Sequence, residues 1–250
     1  MAISIYNEFS DYMVFKGIKK VDVIDFGYND ITEELIINQF GAIYNFHKKS
    51  LGFDGYLRNR LNNNTGKTIE EYKISIKKLS GDINNINKYE PKNVYEQLII
   101  KYGNGAISRG QKCIKTVYES NYLEILTRSM RRGEICLGNT FFKNIRQNEA
   151  IEVVSFENCS YNMVEMDCFF LLSKLKRKGL KLNFNRLVEQ FCYIEELDRS
   201  SLNFIIALIS YPHEFMKCCN RYRSGKRMWN EDKVPEKIIK ALTQDGNSLF

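Results

Sequence analysis

Long apolar runs are missing from this chain of 250 residues. No stretch approaches the ~18 uncharged apolar residues that a membrane-crossing helix needs, so no membrane span is expected. Residues 202–211 come nearest, and they read as a buried helix. The opening segment is broken by Asn7, Glu8, Ser10 and Asp11, which leaves no apolar signal region. Histidine is scarce, with only His47 and His213, and none of the seven cysteines forms a C-x-x-C pair. A zinc site therefore has few ligands to draw on. Proline occurs only three times, and Ile, Leu, Phe and Tyr are plentiful, which is a globular composition.

Charge of one sign is also limited. The formal net charge of +7 is modest for the length. No helix-turn-helix or zinc-finger pattern accompanies it, so nucleic acid is not an expected partner. Two basic clusters, Arg128 with Arg131 and Arg132, and Lys174, Lys176, Arg177, Lys178 and Lys181, read as solvated faces. Should they bind anything, a protein partner is favoured over nucleic acid. The cysteines are odd in number and irregularly spaced, and read as buried thiols. Adjacent Cys218 and Cys219 could cross-link in an oxidising assembly, as could exposed tyrosines. His47, near the end of a helix, reads as structural. Glu195, Glu196 and Asp198 read as a solvated helix end.

The hydrophobic pattern gives a strand-rich start, at 2–6, 12–15 and 21–26, and then a helical body. Asp30 with Glu33 has capping-box spacing, and apolar residues recur helically up to Lys49. Residues 51–66 form a polar connector. Helices are predicted from Thr68, over 94–102 and over 111–130, with a loop at 103–110 and a break near Ser120 and Asn121. Strands at 134–137 and 151–156 flank the stretch ICLGNTFFKNI, residues 135–145. Helices follow at 167–178, 184–197 and 200–223, the last broken by Pro212, and at 233–242.

Four stretches in this order carry a family likeness. They are VDVIDFGYNDITEELIINQFGAIYNFHKKSLGF, ICLGNTFFKNI, VVSFENCSYNMVEMDCFFLL and ISYPHEFMKCCNRY. Together they resemble the CotS-like spore coat proteins, relatives of aminoglycoside and choline phosphotransferases. The resemblance implies an α+β, truncated protein-kinase-like (aminoglycoside phosphotransferase-like) fold. Its small lobe would be reduced to two or three strands, with a mostly helical large lobe. Residues 1–28 would be the remnant of the small lobe and hinge, and 29–250 the large lobe with a β-hairpin insert near 134–157.

A phosphotransferase of this type needs a catalytic-loop Asp, an Asn five residues on that binds Mg2+, a second metal-binding Asp and a phosphate-gripping Lys. Matched to the family's loops, the catalytic Asp position falls on Asn139, whose amide cannot accept a proton near neutral pH. The His usually two residues earlier is Leu137. Asn144 matches the metal-binding Asn, but its favoured reading is to hold the loop by backbone hydrogen bonds. The metal-binding Asp position falls on Ser155, a poor ligand for a hard cation, with Glu157 beside it. Asp167 matches a family Asp and is expected to N-cap its helix.

The expectation is therefore a non-catalytic, pseudokinase-like coat component. It would not be an enzyme, and would have no catalytic residues, cofactor or metal, with Asn144, Ser155 and Glu157 as residual nucleotide-site candidates. Its partners would be other spore coat proteins, with self-association possible. It would be made in the mother-cell cytoplasm and recruited to the coat. The alternatives are a small-molecule phosphotransferase with an atypical metal site, and a basic nucleic-acid-binding module.

Overall fold

The helix α2, Glu33–Ser50, divides the hydrophobic interior in two. Ile36, Phe40 and Ile43 enter the larger core, built by the helical body. Ala42 and Phe46 enter a second cluster with Phe9, Met13, Ile18, Leu57, Leu137, Ile145 and Val153. One helix thus supports both the body and the layer that carries the central loop. The computed structural model describes residues 5–27, 31–53, 55–225 and 230–250. Asp30, read above as a cap, lies outside them, as do residues 2–4 of the first expected strand and the proposed domain break at 28/29. Thr32 supplies the cap instead, its side chain accepting from the Leu35 N–H at 3.2 Å.

The N-terminal segment differs from its expected strands. β1, Ile5–Tyr6, pairs in parallel with β3, Tyr56–Leu57. Residues 12–15 belong to the helix α1, Phe9–Phe15. Phe9, Tyr12 and Met13 share the buried side, while Val14 and Phe15 face outward, a helical rather than alternating pattern. The next strand, β2, is Lys19–Lys20 and pairs in parallel with β7, Ile151–Val153; residues 21–27 continue without strand structure.

Helices α3, Lys67–Tyr89, and α4, Val94–Glu119, pack closely against each other. The loop expected at 103–110 is part of α4. Gly103 and Gly110 there serve close packing: an added Cβ would come 2.7 Å from Ile83 Cδ1 at the first and 3.1 Å from Ile76 at the second. The break near residue 120 is present, with α5, Tyr122–Arg132, following. Strands β5, Ile135–Cys136, and β6, Ile145–Gln147, flank the central loop but do not pair with each other. The hairpin is β6 with β7, while β5 pairs with β8, Ser160–Tyr161, which in turn pairs with β4, Asn62–Asn63. Helices α6, Glu165–Arg177, α7, Phe184–Ile194, α8, Arg199–Ser210, α9, His213–Arg223, and α10, Val234–Asp245, complete the body. Pro212 separates α8 from α9.

Tyr72 of α3 stacks on Tyr211, with ring centroids 3.5 Å apart and planes within 4°. The Tyr211 hydroxyl donates to the Tyr72 carbonyl oxygen at 3.1 Å. The Tyr72 hydroxyl is buried without a hydrogen-bond partner among the described residues. An unmatched buried polar group costs about 1–3 kcal/mol. Tyr72→Phe is therefore expected to leave urea stability unchanged or raise it by up to about 1 kcal/mol, whereas Tyr211→Phe, which breaks a made bond, lowers it by about 1 kcal/mol.

Among the described residues, no helix is long and apolar enough to cross a membrane. All seven cysteines are buried free thiols. Burial pushes Cys218 up to about 11 and Cys219 up to about 12, so little of either is thiolate at neutral pH, which opposes the cross-link considered above.

Candidate functional site

The site begins with a turn that only glycine fits. Gly138 follows β5 with φ +74°, and a Cβ there would lie 2.4 Å from the backbone oxygen of Asn158. Leu137, on one side of the turn, is fully buried in the second cluster. Asn139, on the other, faces a cleft, and its side-chain amide makes no hydrogen bond among the described residues.

Three buried side chains fix this loop. The Asp167 carboxylate accepts the backbone N–H groups of Leu137 and Gly138, each at 2.8 Å. This corrects the expected N-cap role: Asp167 sits in the first turn of α6 but turns its oxygens to the loop. His47 of α2 lies between carboxylates, with Nε2 2.9 Å from Asp167 Oδ2 and Nδ1 2.6 Å from Glu195 Oε1. Glu195 is therefore buried against His47 rather than solvated. Burial opposes charge on His47, but Glu195 and Asp167 outweigh it and raise its pKa to about 10, so the ring is an imidazolium at neutral pH. Gln39, two turns before His47 on α2, donates to the carbonyls of Thr140 at 2.8 Å and Ile145 at 2.9 Å.

Asn144 ties the two loops together. Its Nδ2 donates to the Asn139 carbonyl at 2.8 Å and the Ser155 carbonyl at 3.1 Å, and its Oδ1 accepts from the Ser155 N–H at 3.0 Å. Both amide protons are used. The Ser155 hydroxyl accepts from the Glu157 N–H at 3.2 Å, and Glu157 is exposed. The loops thus stand in fixed register, with Asn139 and Ser155 as neutral groups and Glu157 as the carboxylate beside them. Asn144, Ser155 and Glu157 are the residues here that could offer oxygen to a hard cation.

A second cluster, His47 Nε2 or Nδ1, Cys136 Sγ and an Asp167 oxygen, has ligand-type atoms within 4.8 Å of one another. Those atoms are already engaged: both ring nitrogens face carboxylates, and the Cys136 thiol donates to the Met163 carbonyl at 2.9 Å. The arrangement works as a hydrogen-bonded support under the loop.

Beneath Asn139 lies a cleft of 460 Å³. Its walls include Phe141, Phe170, Lys174, Lys176, Arg177 and Asp245. The second basic cluster is therefore partly turned inward rather than solvated throughout. Lys174 Nζ stands 3.9 Å above the Phe141 ring. Burial, then Lys178 and Arg177, pull its pKa down. Burial and then Arg109 pull Lys176 down to about 8. The first basic cluster is also engaged, since Arg128 bonds Glu134, Glu165 and Ser201. Sequence reasoning missed Gln39, the Arg128 network and the cleft. Among these only the two-turn spacing of Gln39 from His47 was a visible signal.

No family model matches the chain, and no curated protein matches it. A solved structure does: an aminoglycoside phosphotransferase from Alicyclobacillus acidocaldarius subsp. acidocaldarius DSM 446, at TM-score 0.67 and 11% identity. The match covers 85% of this chain and 62% of that one, so the chain spans less than two thirds of that structure's length. The match stands against the expectation that the chain is not an enzyme, since the protein whose fold it shares is an aminoglycoside phosphotransferase. The chain has the aminoglycoside phosphotransferase-like, kinase-like α+β fold, with small sheets set beside a mostly helical body.

Proposed function

We propose that this chain is a phosphotransferase-fold protein of the bacterial spore coat, which binds a small ligand in the cleft beneath Asn139 and docks onto other coat proteins. The observation that carries ligand binding is the cleft itself. Its volume suits a small molecule, its walls mix aromatic and charged groups, and the unpartnered Asn139 amide faces into it. The coat assignment is supported by the four sequence stretches quoted above. On this reading the protein is made in the mother-cell cytoplasm and then recruited to the spore surface. Val14, Phe15 and Val23, apolar and exposed, favour contact with another chain or a second copy. Immunoblotting of coat extracts from spores of the source organism tests this part. A protein confined to the vegetative cell would sink it.

A second reading is small-molecule phosphotransfer with an atypical metal site. The Asn144 latch favours it, because it holds the loops of Asn139 and Ser155 against each other. Asn144 and Glu157 would then share the cation. Calorimetry with Mg-ATP decides: micromolar binding that is lost in Asn144→Ala and Glu157→Gln supports transfer chemistry. No heat at millimolar nucleotide rejects it.

A further inference from the structure

The charge of the cleft selects among ligands. Three cations line it, Lys174, Lys176 and Arg177, and their partners differ. Lys176 donates to the Ile209 carbonyl at 3.1 Å and the Asn247 carbonyl at 2.8 Å. Arg177 donates to Glu214 at 3.0 Å. Lys174 has no carboxylate partner among the described residues. Its ammonium sits on the Phe141 ring face, near Lys178 and Arg177, which repel it.

The carboxylate in the lining is Asp245, and it is occupied. Its oxygens accept the backbone N–H groups of Glu214 and Phe215, each at 2.8 Å. Arg109 packs beside it, donating to the Asp245 and Gly246 carbonyls. Among the described residues, no free negative oxygen therefore lines the cleft to balance Lys174. A polyamine entering here would meet an unneutralised ammonium at close range. A negative group would instead gain a partly desolvated partner, where a charge-assisted hydrogen bond is strongest.

We infer that the cleft takes a small organic anion, a carboxylate or phosphate ester with an apolar body. Lys174, seated on the Phe141 ring, holds its negative group, the Phe170 ring covers its apolar part, and the Asn139 amide bonds a polar substituent. This rests on the cleft being the binding site, as proposed above, and goes further by fixing the ligand's sign. It departs from the polycationic acceptor that the name of the structural neighbour suggests.

Binding is measured by calorimetry on the full chain with benzoate, 4-nitrophenyl phosphate and inorganic phosphate as anionic probes, and with kanamycin and choline as cationic ones. The expected result is that 4-nitrophenyl phosphate and benzoate bind, and inorganic phosphate more weakly for want of an apolar part. Lys174→Gln should weaken both aromatic anions about tenfold, and Lys174→Arg should largely restore them. Thermal melts of the unliganded variants show that each is folded. Kanamycin binding weakened by Phe170→Ala, with no anion binding, would leave the cleft as a ligand site and overturn the inference about sign. Anion binding unchanged by Lys174→Gln would overturn the assignment of Lys174. Binding by neither class overturns both the inference and the cleft as a ligand site.

Discussion

Replacing His47 with Leu is expected to cost about 3–5 kcal/mol in urea unfolding at neutral pH, because it leaves Asp167 and Glu195 buried opposite a hydrocarbon. The pH dependence gives this prediction a sign that a simple packing defect lacks. His47 is raised from 6.5 to about 10 in the folded protein. A base whose folded pKa is raised contributes stability in full below its unfolded pKa. That contribution falls as pH climbs from about 6.5 and is gone above about 10. The stability gap between the native chain and His47→Leu should therefore be widest near neutrality and below, and should close toward pH 10. Lys176 titrates in the opposite sense, since its charge is disfavoured by folding, so the gap between the two proteins is the proper measure rather than either curve alone. A gap constant from pH 6 to 10 would show that His47 is neutral in the native state. The variant should also loosen the central loop, because Asp167 carries the Leu137 and Gly138 N–H groups. Faster hydrogen exchange at those two amides would report it.

Arg128→Met is expected to be comparably damaging. Arg128 bonds Glu134 through Nε at 3.1 Å and Glu165 through Nη2 at 2.7 Å, while Ser201 donates to Glu165 at 2.5 Å. Both carboxylates are almost wholly buried. Burial opposes charge on Arg128, but Glu165 and then Glu134 outweigh it and hold the guanidinium's pKa above its ordinary value. Methionine keeps the apolar stem and removes the charge, stranding two buried anions. Such a break costs about 3–5 kcal/mol. Glu165→Gln added to Arg128→Met should recover part of the loss, and the double-mutant cycle then isolates the pair from the packing. Full additivity would mean that the network contributes no coupling.

Which elements were legible in the sequence follows from how local their causes are. The periodicity of α2 and the break at Pro212 rest on neighbouring residues and are present, while the strand expected at 151–156 is present only as Ile151–Val153. The central turn rests on one residue, Gly138, which takes a conformation that other residues resist. The likeness of the loops to a phosphotransferase pointed to Leu137, Asn139, Asn144, Ser155 and Glu157, but not to the hydrogen bonds that these loops make. The expected loop at 103–110 failed for the opposite reason. Gly103 and Gly110 look like punctuation in one dimension, yet their purpose is to let α3 approach α4. The strand expected at 12–15 failed because apolar content alone does not reveal which of Tyr12, Met13, Val14 and Phe15 point inward.

By itself the sequence determined the chemistry available: an amide at 139, a hydroxyl at 155, few histidines and a modest positive charge. Only the tertiary structure decided how those groups are used. It set Asp167 and Glu195, 120 and 148 residues away from His47, against the two nitrogens of one ring. It also turned Lys174 into a cleft whose one lining carboxylate is already engaged. Such partnerships depend on distance through space, and hydrogen bonds and charges act over a few ångströms regardless of separation along the chain.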